Sequence, residues 1–254
     1  MKTTRLNILM GILLVVILIG CAPATSSVDI PTQESAPPAN DSYTVNITAA
    51  DFVPVIDNPY LPFIPGSKWV YEVTLEDGTV EHNEIEVLQE TRDVNGVTAT
   101  VVHDTVFVEG ELKEETFDWY AQDKDGNVWY LGEIVDNYEN GQLVDHAGSW
   151  EWGKDGALPG IMMWADPSAH LNEEYYQEFY AGEAEDKGQV QSVTENVSVP
   201  FGSFDNVVKT YDFSTADPDL KENKFYALGV GVIQEIDLTT GEQVVLVEFT
   251  AGAR

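Results

Sequence analysis

The 254-residue chain carries 44 acidic side chains against 12 basic ones, a formal charge of −32. A surface of that sign repels polyanions, which excludes nucleic acid and anionic lipid headgroups as direct partners. One cysteine excludes an intramolecular disulfide, so a folded body has to rest on its core, for which 43% hydrophobic residues suffice.

At the N-terminus, Lys2 and Arg5 precede an uncharged apolar run from Ile8 to Gly20, followed at once by Cys21. This order fits a secretory signal over residues 1–20. The run is too short to cross a bilayer, which takes about 17–25 residues. Leu18-Ile19-Gly20-Cys21 resembles the lipobox of bacterial lipoproteins. The resemblance implies that the Cys21 thiol takes a diacylglycerol, that the chain is cut before it, and that the new amine is acylated, for example with palmitate. Such chains anchor stably, at about 0.8 kcal/mol per buried methylene. Two other readings of the same residues stay open: a free thiol behind an ordinary cleavable signal, and an uncleaved membrane anchor. Residue 22 is Ala and not Asp, so the retention signal of inner-membrane lipoproteins is missing. The expected address is extracytoplasmic: the outer membrane where the host has one, otherwise the outer face of the cell membrane. Losing residues 1–20 removes Lys2, Arg5 and no acid, which moves the formal charge from −32 to −34.

Residues 21–49 change character. Pro, Ser and Thr crowd a stretch with few large apolar side chains, which cannot bury enough surface to offset its ordering entropy. The expectation is a flexible tether from the lipidated Cys21 to a domain spanning 50–254.

That domain reads as strands and tight turns. Glu76-Asp77-Gly78, Asn95-Gly96, Glu109-Gly110, Asp123-Lys124-Asp125-Gly126 and Asn140-Gly141 separate apolar runs over 69–75, 80–89, 97–108, 112–121, 128–138 and 143–152. Asn-Gly and Asp-Gly between such runs signal hairpins, because these residues accept positive φ. Leu158-Pro159-Gly160 is expected to break the sheet, and Asp166-Pro167 to cap a short helix over 168–172. The segment 174–180 leaves aromatics on both faces and reads as a strand. Further strands are expected over 189–199, 204–213, 223–226, 232–237 and 243–250, with Thr240-Gly241 turning the last pair. The total is about ten to twelve strands: mainly all-β, one antiparallel, strongly curved sheet or half-barrel with at most one or two short helices.

Three segments carry a further resemblance. Residues 60–71, Tyr-Leu-Pro-Phe-Ile-Pro-Gly-Ser-Lys-Trp-Val-Tyr, resemble the opening strand of several uncharacterised secreted families. Val199-Pro200-Phe201-Gly202-Ser203-Phe204 and Tyr226-Ala227-Leu228-Gly229-Val230-Gly231-Val232 are similar to their later motifs, with Leu228 where those carry Pro. These families look like relatives of the LolA/LolB half-barrel, whose concave sheet holds acyl chains. The resemblance implies a fold, and it implies no catalytic residue.

Candidate chemistry is sparse. His82, His103, His146 and His170 are far apart without metal-ligand spacing, and His103 reads as a hydrogen-bonded interior residue. Asp123-Lys124-Asp125-Gly126-Asn127 lacks the sixth-position Gly and twelfth-position Glu of a calcium loop, so it reads as a hairpin turn. No metal, cofactor or catalytic residue is assigned. The acids are scattered, which reads as a solvated surface in preference to diffuse capture of cations, although Glu151, Asp155, Glu183, Glu185 and Asp186 are available to a carboxylate-dependent hydrolase. Aromatic residues offer more. Trp119, Tyr120, Trp129, Tyr130 and Trp164 are the candidate ligand-binding residues, either lining a concavity or packed as core and cross-strand pairs. The function expected is a membrane-anchored, non-enzymatic binding module for an apolar ligand or partner. A structural surface lipoprotein and a secreted hydrolase are the alternatives.

Overall fold

The computed structural model describes residues 43–75 and 78–253. The expected signal, Cys21 and most of the tether lie outside the described residues, as do Glu76 and Asp77 of the first expected turn.

The fold is all-β, with sixteen strands and two short 3-10 helices among the described residues. The strands are β1 (Phe52–Val53), β2 (Lys68–Thr74), β3 (Val80–Val94), β4 (Val97–Val108), β5 (Glu111–Asp123), β6 (Val128–Glu139), β7 (Gln142–Asp145), β8 (Trp150–Glu151), β9 (Leu158–Met163), β10 (Glu174–Tyr176), β11 (Glu178–Phe179), β12 (Asp186–Val199), β13 (Gly202–Ser214), β14 (Lys221–Ala227), β15 (Gly231–Asp237) and β16 (Gln243–Thr250). The strands beyond the expected ten to twelve are mostly pieces of two to four residues, too short to show a period.

One sheet runs β10-β12-β13-β14-β15-β16-β2-β3-β4-β5-β6-β9-β11, every strand pair antiparallel. Local turn chemistry sets the hairpins. Asn95 and Gly96 (φ 51° and 84°), Glu109 and Gly110 (52° and 81°), and Asn140 and Gly141 (50° and 71°) all take the left-handed conformations of primed turns. Such turns match the strand twist, so long strands such as the 15-residue β3 curl into a barrel-like surface.

The two ends of that path are neighbours in sequence. β10 pairs with β12 and β11 with β9, and only Gln177 separates them, so the segment 174–179 draws the sheet nearly shut. Gln177 fastens this clasp: its backbone N–H donates to Asp186 O at 2.8 Å, and its side-chain Nε2 to Asp212 Oδ2 at 3.1 Å. Here one expectation is corrected. Leu158-Pro159-Gly160 does not break the sheet; it opens β9, which pairs with both β6 and β11. Gly160 is what allows it, because a Cβ there would lie 2.3 Å from Tyr176 O, where the clasp crosses. The helix expected over 168–172 is a 3-10 turn at Pro167–His170, with Asp166 accepting from Ser168 N–H.

Two apolar clusters sandwich the curved sheet. The larger fills the barrel with residues that include Trp69, Tyr71, Val87, Tyr120, Tyr130, Val208 and Leu246. The smaller lies on the opposite face of β3–β6, where Val97, Ala99, Trp119, Leu131 and Trp152 are covered by Ile47 and Phe52. The last residues of the expected tether are thus part of the folded body, and Tyr43 Oη donates to Pro159 O at 2.8 Å.

Candidate functional site

Strand alternation sends a second, polar set of side chains inward. On β5 these are Glu114, Thr116, Asp118, Tyr120 and Gln122, all buried, while Trp119 and Ala121 face the smaller cluster. On β6 a bulge at Leu131 shifts the register between Trp119↔Gly132 and Tyr120↔Tyr130. That one extra residue puts Glu133 directly opposite Asp118. Asp212 and Glu222 likewise face each other across β13 and β14.

Ten carboxylates follow one another in this way around the inside of the sheet: Glu81, Asp104, Glu114, Asp118, Glu133, Glu178, Asp186, Asp212, Glu222 and Glu235, none more than 5% exposed. Each acts electrostatically on the next, so they form a belt and not isolated sites. This corrects the reading of the acids as a wholly solvated surface.

The belt is not uniform. Lys224, itself buried, places Nζ 3.6 Å from Asp212, 3.5 Å from Glu222 and 3.7 Å from Glu235. Burial works against its charge, but Glu235, Glu222 and Asp212 outweigh that and hold the ammonium protonated. On the other side, Glu81, Asp104, Glu114 and Asp118 interact with one another, and among the described residues no buried cation acts on them. Asp104 accepts from Asn83 Nδ2, Glu114 from Thr116 Oγ1 at 3.1 Å, and Asp118 from Tyr130 Oη at 2.6 Å. One oxygen on each of the four, and Asn83 Oδ1, has no hydrogen-bonding partner among the described residues.

Burial decides the protonation chemistry, since a desolvated carboxylate prefers its neutral form. It pushes Glu81 and Glu114 up to about 8 and Asp104 to about 7. Asp118 is pushed up for the same reason, against the hydrogen bond it accepts from Tyr130, and Glu133 is pushed up by burial with Glu178 and Asp118 adding to it. On the lysine side, burial raises Glu222 to about 7 and Asp186 to about 6, with Lys224 pulling both back. These carboxyls therefore keep their protons to a higher pH than exposed ones do.

The aromatic residues singled out from sequence do not share one lining. Tyr120 and Tyr130 stack at 4.7 Å inside the barrel, fully buried. Trp119 packs in the opposite cluster with the Arg92 guanidinium 3.8 Å above its ring. Trp129 sits beside that cluster, edge-on to Phe52, and donates Nε1–H to Asp123 Oδ2 at 2.8 Å. Trp164 stacks on His170 at 3.8 Å and meets Tyr175 edge-on. Adjacent rings on one strand face opposite sides, and both sides are occupied by packing.

The other sequence candidates disperse. His82 bonds Glu84, His146 bonds Asp136 and His170 bonds Glu173. His103 bonds Glu115 at 2.8 Å and stacks on Phe117, on the outward face and not in the interior. The Asp123 carboxylate accepts from the backbone of Asp125 and Asn127 and from the side chains of Asn127 and Trp129, which closes a turn. Of the acids considered for hydrolysis, Asp186 is in the belt. Glu151 holds Arg92 and Lys154 at 2.6 and 3.0 Å, and Glu185 braces Gly182 and Thr215. A cleft of about 240 Å³ at one end of the barrel is lined by Pro62, Ile64, Leu228, Phe249 and Ala251.

No protein-family model matches the chain, and no curated protein matches it. The crystal structure of a candidate lipoprotein from Parabacteroides distasonis is similar over 76% of this chain and 99% of that one, at 14% identity and a TM-score of 0.38.

Proposed function

We propose that the protein is a lipid-anchored, extracytoplasmic binding module that holds its ligand inside the barrel and performs no turnover. The lipobox-like Leu18-Ile19-Gly20-Cys21 supports the anchor and the address. The observation that carries the binding role is the surplus of buried acceptors: among the described residues, ten interior carboxylates share one buried lysine. Natural interiors pair such groups, so an unpaired set is the mark of a site more than of a scaffold.

The cleft lined by Pro62, Ile64, Leu228 and Phe249 favours a second reading, in which a small apolar ligand sits at the barrel's end. Native mass spectrometry of the full chain, extracted in detergent from its own host, tests both. A stoichiometric small molecule, lost on mutation of the belt, supports the first reading, and one lost on Leu228→Asp supports the second. Repeatedly empty protein overturns both in favour of a structural lipoprotein. Labelled palmitate, incorporated by the native chain and not by Cys21→Ser, tests the anchor.

A further inference from the structure

Two hairpins turn on the same dipeptide, Asn95-Gly96 between β3 and β4 and Asn140-Gly141 between β6 and β7. Their backbones are alike, with φ of 51° and 84° at the first and 50° and 71° at the second, and all four residues are exposed. Asparagine before glycine is thermolabile, because no side chain on the second residue shields its amide nitrogen. That nitrogen attacks the asparagine Cγ: a C–N bond forms, the carboxamide C–N bond breaks, and ammonia leaves with the proton. Water then opens the succinimide at either carbonyl, giving aspartate or isoaspartate.

The two turns differ in what surrounds the reacting atoms. At Asn95 both atoms are engaged. The Gly96 N–H donates to Asp93 Oδ1 at 3.2 Å, and the Asn95 carboxamide lies against Gly153, where a Cβ would meet its Cγ and Oδ1 at 3.3 Å. Val94 and Val97, paired across the turn, are buried in the smaller apolar cluster, so opening this turn exposes core. At Asn140 those restraints have no counterpart among the described residues. A Cβ on Gly141 would meet nothing within 4 Å, and the Gln142 Nε2 bond at 3.2 Å goes to Gly141 O, away from the reacting atoms. The flanking Glu139 and Gln142 are exposed, and β7 is held only to β6, through three residue pairs with a register shift among them.

We infer that Asn140-Gly141 is a site of spontaneous deamidation, while the fold protects Asn95-Gly96, the same dipeptide in the same kind of turn. No ligand enters this inference, so it stands apart from the binding reading above. The modification changes the hairpin in two ways. Both products place a new carboxylate beside Glu139. Isoaspartate also carries the main chain through the former side chain, one methylene longer, so the two-residue turn no longer sets Glu139 opposite Gln142. Strand β7 is then released, while β6 stays paired to β5.

Ageing the full chain in detergent at pH 7.4 and 37 °C tests this, beside a sample unfolded in guanidinium chloride. Peptide mass mapping after digestion at acid pH follows each site and separates aspartyl from isoaspartyl products. In the unfolded sample the two dipeptides should react at similar rates. In the folded chain Asn140 should react at least about tenfold faster than Asn95, since only Asn95 needs buried valines exposed first. The acidic species that isoelectric focusing resolves should vanish in Asn140→Gln and persist in Asn95→Gln. Amide exchange over 142–145 should quicken in the isoaspartyl form. Equal rates in the folded chain, faster loss at Asn95, or a folded Asn140 that stays intact while the unfolded one reacts overturns the inference. Unchanged exchange over 142–145 overturns the release of β7. The comparison within one native chain needs no variant, so it stands even if Asn140→Gln folds poorly.

Discussion

The two sides of the barrel interior start from the same material and reach different solutions. Around Lys224, three carboxylates are held within 3.7 Å of one ammonium, and positive charge stays in the core with its counterions. Around Asp104, comparable burial is met with neutral hydrogen-bond donors from Asn83, Thr116 and Tyr130, each of which satisfies one oxygen of its acid and leaves the other. Burial alone does not fix the state of a carboxylate. Burial raises the carboxyls on both sides, and Lys224 pulls back only part of that rise at Glu222 and Glu235.

The largest expected effect that breaks the comparison is pH. Glu81, Glu114 and Asp104 move from ordinary values of 4.5, 4.5 and 3.8 to about 8, 8 and 7 in the fold. A folded pKa above the unfolded one gives stability that is complete below the unfolded value and lost as pH rises through the folded value. The protein should therefore be most stable near pH 4–5 and lose stability steadily up to about pH 8. Each of the three acids withdraws a few kcal/mol, at about 1.4 kcal/mol for every tenfold gain in proton affinity on folding. Urea denaturation from pH 4.5 to 8.5 checks this, and greater stability at the alkaline end would refute the account of the belt.

Next in size is Lys224→Met. Removing one partner of a buried ion cluster strands the rest, at a cost of about 3–5 kcal/mol. The loss should be full at pH 8 and smaller at pH 5, where Glu222 and Asp186 take protons instead. A loss independent of pH would mean that Lys224 acts through packing alone. Gly160→Ala, which drives a methyl group against Tyr176 O and the Gln177 backbone, should cost about 1–3 kcal/mol, felt equally on both sides. The smallest change should come from Glu81→Gln at pH 8. It removes an acid that the fold prefers neutral and should be neutral or stabilising by about 1 kcal/mol, where the same exchange at Glu222 beside Lys224 should destabilise. Chemical denaturation of the pair of variants at one pH reads the difference directly.

Much of the frame was legible in the sequence, because hairpin signals are local. Asn95-Gly96, Glu109-Gly110 and Asn140-Gly141 placed three turns, and the expected strand 97–108 is β4. The clasp was not legible. Pro159 and Gly160 look like breakers until Tyr176 and Gln177 are known to cross them, and that crossing is a long-range fact. The belt was hidden for a different reason. Apolar alternation on β5 marks Phe117, Trp119 and Ala121 as the core-facing set, and they pack with the smaller cluster, on the outer side of the sheet. The polar alternates Glu114, Thr116 and Asp118 are the ones inside, which inverts the usual rule. The one available signal was their spacing of two, repeated by Glu81 and Asn83 and by Glu222 and Lys224.

The seam at Gln177 has a consequence for how the molecule breathes. Strand β11 is held to β9 through two residue pairs and β10 to β12 through three, while most other seams are zipped over six or more. Local opening costs least where the fewest backbone bonds must part, so amide exchange should run faster along 174–179 than along the long seams of β3–β6 and β12–β13. Water reaching the interior by that route meets Asp212, the acceptor of the Gln177 amide, before any acid of the far wall.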